Sequence, residues 1–257
     1  MILRQSLFAM LVFPALFIFA QQDVATKMYS WKPPKDRVQK NIFISTIFEG
    51  SAHDMAYIQM VAVAVGTSQK KTGLMVPDNE EQLLLMKSGS LTLRMNDSTW
   101  TIGGGSVALL LPGQTYSVQN GTGDSCLYYL LKYRSKQPMD KTRGNNAGGS
   151  MVKDWNKIRF KAHDRGGIRN YFERATPMCR RLEMHVTTLN EGIRSHDPHT
   201  HAAEEIVLVI NNQTEMQIGD AFYKGDTGDL YYLGSNVPHA IRNNGKGTCT
   251  YFAFQFD

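Results

Sequence analysis

The last third of the chain is written in short apolar runs. EIVLVI (205–210), DLYYL (229–233) and TYFAFQF (250–256) are rich in β-branched and aromatic residues, and YKGDTGD, GSN and NNGKG lie between them as turn formers. In RRLEMHVTTL (180–189) alternation puts Arg181, Glu183, His185 and Thr187 on one face and Leu182, Met184 and Val186 on the other. A polar inner face would line a ligand pocket; a polar outer face would meet solvent. No helical period in this half runs beyond about two turns. Short strands with turns every ~8–12 residues predict an all-β sandwich or small barrel, of which the jelly roll is one kind.

The pattern occurs twice. SCLYYLLKY (125–133) superposes on TCTYFAFQF (248–256) at an offset of 123, which brings Cys126 onto Cys249. Gly105 and Asn120 fall on Gly228 and Asn243 at the same offset, and Glu81 falls on Glu205 at 124. FEGSAHDMAYIQMVAVAV (48–65) falls on FERATPMCRRLEMHVTTL (172–189), also at 124. The chain therefore reads as two copies of one unit of about 100 residues. Residues 45–134 form the first unit and 165–257 the second. Residues 21–44, with Pro33 and Pro34, read as an irregular arm, and the polar, Gly- and Asn-rich 135–164 as a linker and connecting segment.

Residues 1–20 stand apart. Arg4 precedes an apolar run from Leu7 to Phe19, broken by Pro14 and followed by Ala20, the layout of a signal peptide cleaved after Ala20. The expected location is exported, periplasmic or secreted; an uncleaved anchor is the competing reading. After cleavage 27 basic and 23 acidic residues remain, with no basic block that would track a phosphate backbone. Nucleic acid and, after cleavage, membrane are not expected partners; a small-molecule ligand is. Three cysteines are too few for a disulfide framework, although one bridge is open. Gly103, Gly104 and Gly105 have no following helix or Lys-Ser/Thr, so they make no phosphate loop.

The chemistry concentrates in RSHDPHTHAAEEIVLVI (194–210). His199 and His201 are spaced i, i+2, which puts both imidazoles on one face of an extended segment, and Glu205 follows with even parity. His239 follows 34 residues later in SNVPHAIRN. Three imidazoles and a carboxylate suit one divalent transition metal, with Mn, Fe, Zn and Ni as candidates.

At these residues the chain resembles the cupin superfamily. Gly192, His199, His201 and Glu205 follow its first motif with one extra residue after the glycine. Gly228, His239 and Asn243 follow its second, with Gly234 and Asn236 where Pro and Gly are usual. The resemblance implies two tandem jelly-roll barrels (double-stranded β-helices), a bicupin, with His199, His201, Glu205 and His239 as metal ligands in the second. Met75, Pro77 and Tyr116 fall where the first unit would need histidines. A carboxylate alone does not hold a transition metal, so that barrel is expected to be structural or to bind a ligand without metal. The two-unit layout also resembles ureidoglycine aminohydrolases, but their ligand order differs, so this likeness concerns architecture only.

Around the ligands, His185 and His196 are the candidate acid–base groups; a solvated loop position is the plainer reading of His196. Arg181 and Arg194 belong to a cluster of arginines that would either clamp a substrate carboxylate or form a homodimer or domain contact. Tyr231 is either a substrate contact or barrel packing. The favoured function is a metal-dependent enzyme acting on a small organic acid or sugar acid by Lewis-acid chemistry, as isomerase, lyase or hydrolase. The alternatives are a cupin dioxygenase and a non-catalytic protein that binds or senses a sugar or acid.

Overall fold

The computed structural model describes residues 22–39, 41–67, 69–120 and 124–257. The signal segment expected at 1–20 lies outside them. Among the described residues no helix is long and apolar enough to cross a membrane.

Two jelly-roll barrels make up the molecule. The first has a seven-stranded sheet in the order Met151–Lys153, Val107–Leu110, Glu81–Ser88, Cys126–Ser135, Met55–Val65, Ile42–Gly50, Asp36–Gln39. A four-stranded sheet of Lys70–Met75, Thr115–Gln119, Ser90–Met95 and Ser98–Gly103 completes it. The second has seven strands in the order Lys27–Tyr29, Leu230–Leu233, Glu204–Asn211, Cys249–Phe256, Leu182–Leu189, Gly166–Arg174, Lys161–His163. Its smaller sheet has only Ala221–Gly225, Thr214–Ile218 and His239–Asn243. The missing fourth strand is replaced by the histidine-bearing loop, which touches this sheet through two isolated bridges, Arg194 to Arg242 and His199 to His239.

The large sheets are buried on both faces. Leu83 and Leu85 face Ile206, Leu208 and Phe254 in one apolar core that joins the barrels. Their neighbours Leu84 and Met86 point into the first barrel, and Val207 and Val209 into the second. This is why the central strands read as continuous apolar runs: alternation survives only where one face of a sheet meets water.

The arm and the linker hold this core together reciprocally. Lys27–Tyr29, at the start of the chain, pairs with Leu230–Leu233 of the second barrel. Met151–Lys153, in the connecting segment, pairs with Val107–Leu110 of the first. Each strand leads to a tryptophan laid over a glycine: Trp31 over Gly228 and Trp155 over Gly105. Both glycines have positive φ (100° and 83°), and a Cβ on either would collide with the indole. The hydroxyls of Tyr129 and Tyr171 donate to the carbonyls of Gly228 and Gly105, at 2.8 and 2.6 Å. The repeat therefore extends through both segments, which carry strands rather than only irregular chain. The connecting segment also has the helix Lys141–Asn146, N-capped by Asp140.

Strand pairing corrects one equivalence drawn from sequence. Glu205 lies opposite Leu233 and Gln255, and Gln82 lies opposite Leu110 and Lys132. The counterpart of Glu205 is thus Gln82, and that of Glu204 is Glu81. The chain from Val76 to Glu81 is two residues longer than that from His201 to Glu204. Adjacent Glu-Gln and Glu-Glu pairs allow either alignment, and only the hydrogen-bonded register decides.

Glu81 and Glu204 point into the seam between barrels. Glu204 accepts from the backbone N–H of His53 and Asp54, at 2.9 and 3.1 Å, and from the Tyr232 hydroxyl. Glu81 accepts from the Met178 N–H at 2.7 Å and the Tyr133 hydroxyl at 2.5 Å. Each barrel's carboxylate caps a turn of the other. The three cysteines are buried and free, so the bridge left open by sequence is not formed.

Burial raises the Glu81 carboxyl to about 7, although Tyr133 and Met178 favour its ionised form. An unfolded glutamate titrates near ~4.3. Its stabilising contribution is therefore fully present below that pH and is lost as pH rises through about 7. Glu81→Gln keeps the shape and removes the titration. Denaturant melts of parent and variant are expected to diverge by up to about 3 kcal/mol between acid and mildly basic pH; superimposable pH profiles would refute the assignment.

Candidate metal centre

The donor atoms of His199, His201 and His239 lie within 4.8 Å of one another. His239 opens the strand His239–Asn243, and its N–H and carbonyl pair with those of His199 at 3.1 and 3.2 Å. Two residues on, the His201 carbonyl accepts from the N–H of Asn236 at 2.8 Å. Asn236 has φ 59°, a left-handed conformation that asparagine tolerates better than most residues, so it does the work of a turn glycine. Asn243 braces the far end of the strand, donating to the carbonyls of Leu189 and Gly247.

The second ring nitrogens fix how the imidazoles are held. His201 Nδ1 faces the Ala203 carbonyl at 2.7 Å, and His239 Nδ1 faces that of Val237 at 2.9 Å. A carbonyl only accepts, so both Nδ1 atoms carry hydrogen and both Nε2 atoms turn to the centre. There His201 Nε2 is 3.0 Å from Glu205 Oε2. His239 Nε2 is 3.4 Å from the same oxygen, outside hydrogen-bonding geometry, and this buried atom has no hydrogen-bond partner among the described residues. A neutral imidazole lone pair aimed at a carboxylate is repulsive unless a proton or metal cation stands between them. The donor set fits a divalent cation on chemical grounds: convergent Nε2 atoms, one orphaned, beside an acceptor-only carboxylate.

Burial pushes the Glu205 carboxyl up, but its hydrogen bond to His201 and the charge of His201 and His239 outweigh it and hold it at about 2. His201 is raised, first by its bond to Glu205. His199, nearer the surface, is lowered by partial burial and by His196, His239 and His201.

His199, Glu205 and His239 open onto a cavity of about 220 Å³ inside the barrel. Its lining settles the parity left open by sequence: His185 and Thr187 point inward, while Leu182, Met184 and Val186 pack between the barrels. His185 Nδ1 is 2.8 Å from Glu183 Oε1. The His196 ring lies edge-on to His199 at 4.1 Å. Arg181 does not line the cavity; it pairs with Glu173 at 2.7 Å and reaches Gln255 at 3.1 Å. Arg194 is exposed, its backbone bridged to Arg242. Tyr231 is wholly buried behind the cavity, its hydroxyl 3.0 Å from that of Thr214, as barrel packing requires.

Sequence reasoning did not single out Gln255. Its amide lies 3.2 Å from Glu205 Oε2 and 3.3 Å from His201 Nε2. The signal was faint: one polar residue at an inward position of FAFQF.

Two family models match the chain. The AraC-like ligand binding domain matches residues 58–144 and the Cupin domain (Cupin_2) residues 185–254. The chain belongs to the cupin superfamily. Solved structures agree on the fold of this bicupin. It is similar to the putative glyoxylate induced protein of Pseudomonas aeruginosa, at 16% identity and TM-score 0.70 over 95% of this chain and 93% of that one. It is similar to protein Ylba of E. coli, at 14% and 0.65 over 89% and 86%. It also resembles an oxalate decarboxylase of Lactobacillus farciminis, at 11% and 0.67 over 90% and 86%. None of the curated proteins matches by sequence. The two domain types suggest small-molecule binding by this cupin.

Metal binding requires neutral imidazoles, whereas Glu205 stays ionised to about pH 2. Acid release of metal should therefore follow the histidine range, near ~6.5. Gln255→Leu should weaken retention by about 10–100-fold at neutral pH, as expected for a residue that orients a ligand. Chelator competition at several pH values measures both; unchanged retention in Gln255→Leu would remove that residue from the site.

Proposed function

We propose that this bicupin is exported, holds one divalent transition metal in its C-terminal barrel and acts there on a small organic acid or sugar acid as an isomerase, lyase or hydrolase. The observation that carries the reading is the convergence of three imidazole nitrogens beside Glu205, at a cavity also lined by His185, whose ring is paired with Glu183. His199, His201, Glu205 and His239 would be the ligands. A divalent metal so bound supplies Lewis acidity toward a carboxylate or carbonyl oxygen.

The chain's own groups supply the rest. Glu183 orients the His185 ring, leaving its other nitrogen to take or give a proton in the cavity. His196 stands edge-on to His199, and that ligand is exposed, so substrate would enter from this side. A volume of about 220 Å³ is that of roughly seven waters, so the substrate is small. The apolar run at 7–19 after Arg4 supports export. The AraC-like match over 58–144 favours a second reading, in which the protein binds its ligand without turning it over.

Elemental analysis of the purified protein should find one metal per chain, none after combined His199→Ala and His201→Ala, and parental content in Tyr116→Ala. A metal-free parent, or two metals per chain, would sink the proposal. His185→Gln should keep the metal and lose about 10²–10⁴-fold in kcat. Equal turnover in that variant would favour the binding reading.

A further inference from the structure

The first barrel has a cavity of its own, about 250 Å³, in the place that matches the metal cavity of the second. Register makes the comparison residue by residue. Val61 and Leu130 are paired as His185 and Ala253 are. Tyr116 lies opposite Leu74, as His239 lies opposite His199. Val76 binds Gly113 as His201 binds Asn236. The counterparts of the four ligands are thus Leu74, Val76, Gln82 and Tyr116. Met75 and Pro77, assigned from sequence to the positions of His199 and His201, are instead exposed, Met75 at 62%.

Two of these four are apolar, and the other two satisfy each other: the Tyr116 hydroxyl donates to Gln82 Oε1 at 3.1 Å. No donor set for a metal remains. Positive charge nevertheless enters this cavity by another route. Lys132 occupies the position of Gln255, which in the second barrel borders Glu205 and His201. Lys71 occupies that of Ser195. Both lysines line the cavity, both are half-buried, and neither has an ion-pair partner among the described residues. The nearby carboxylate of Glu80 is engaged by the Gln82 amide at 2.8 Å. Apart from Thr46, Gln59 and Tyr116 the rest of the wall is apolar, with Val61, Val63, Val65 and Leu130 beside the Tyr128 ring.

We infer that the N-terminal barrel binds a small monocarboxylate with an apolar body, its carboxylate on Lys71 and Lys132 and its hydrocarbon among the valines and Tyr128. An ammonium on a flexible stem serves as a point charge for an anion, and its methylenes extend the apolar wall. The volume is that of about eight waters, which limits the ligand to roughly that many non-hydrogen atoms. A polyhydroxylated sugar fits poorly, because few polar groups line the wall and two of them, Gln59 and Tyr116, already donate to Glu49 and Gln82.

Hexanoate is a suitable probe, with 1-hexanol as its uncharged counterpart. Calorimetric titration of the metal-free full chain should show one hexanoate per chain and weaker binding of hexanol. Lys132→Met and Lys71→Met should each weaken hexanoate by about tenfold and leave hexanol unchanged. Val63→Trp should fill the cavity and abolish binding of both, with the fold checked by thermal melt. His199→Ala should bind hexanoate like the parent. Three results would each overturn the inference: no hexanoate binding, binding indifferent to both lysine substitutions, or binding lost in His199→Ala, which would place the ligand in the other barrel.

Discussion

The structure depends on burying both faces of two large sheets at once. Neither seven-stranded sheet can leave its outer face in water, because that face carries Leu83, Leu85, Tyr129 and Leu131 in one barrel and Ile206, Leu208, Phe252 and Phe254 in the other. Each such side chain is worth roughly 1.5–3 kcal/mol when removed from water. The barrels therefore pack back to back, and every polar group in the seam needs a partner. Glu81 and Glu204 find theirs in turns of the opposite barrel. The exchanged strands Lys27–Tyr29 and Met151–Lys153 cover the sheet edges that would otherwise be exposed.

The candidate metal centre inherits its geometry from this packing. With Glu204 committed to the seam, the two-residue period of the strand sends Glu205 into the barrel. The same period sends Val186 outward and His185 inward. The histidine loop is placed by main-chain pairing to His239 and by the left-handed turn at Asn236, and two backbone carbonyls hold the ring tautomers. Little of the site's precision depends on long flexible side chains.

The two halves show how far chemistry can diverge on one scaffold. Asn120 and Asn243 brace matching turns, and Gly105 and Gly228 receive matching tryptophans. Tyr128 and Tyr251 stay at matching places in the two cavities, but the imidazoles and carboxylate of one give way to valine, leucine, tyrosine and lysine in the other. Seam and backbone carry the fold, so the inner faces are free to change.

Much was legible in the residues themselves. Turn-punctuated β-branched runs determined an all-β chain, the offset of 123 determined a duplication, and the cupin-like motifs grouped His199, His201, Glu205 and His239 as candidate ligands. These are local, periodic or motif features, each readable along the chain without knowing which distant residues meet. Tertiary structure decided what depends on distant partners. It decided which face of the 182–189 strand lines a cavity, because a polar face suits a wet cavity as well as it suits bulk solvent. It paired Glu205 with Gln82 rather than Glu81, since the loops before the two strands differ by two residues and register is set by hydrogen bonds across the sheet. It also turned the arm and linker into exchanged edge strands, and brought Gln255 to the histidines from the end of the chain, contacts that no spacing along the sequence encodes.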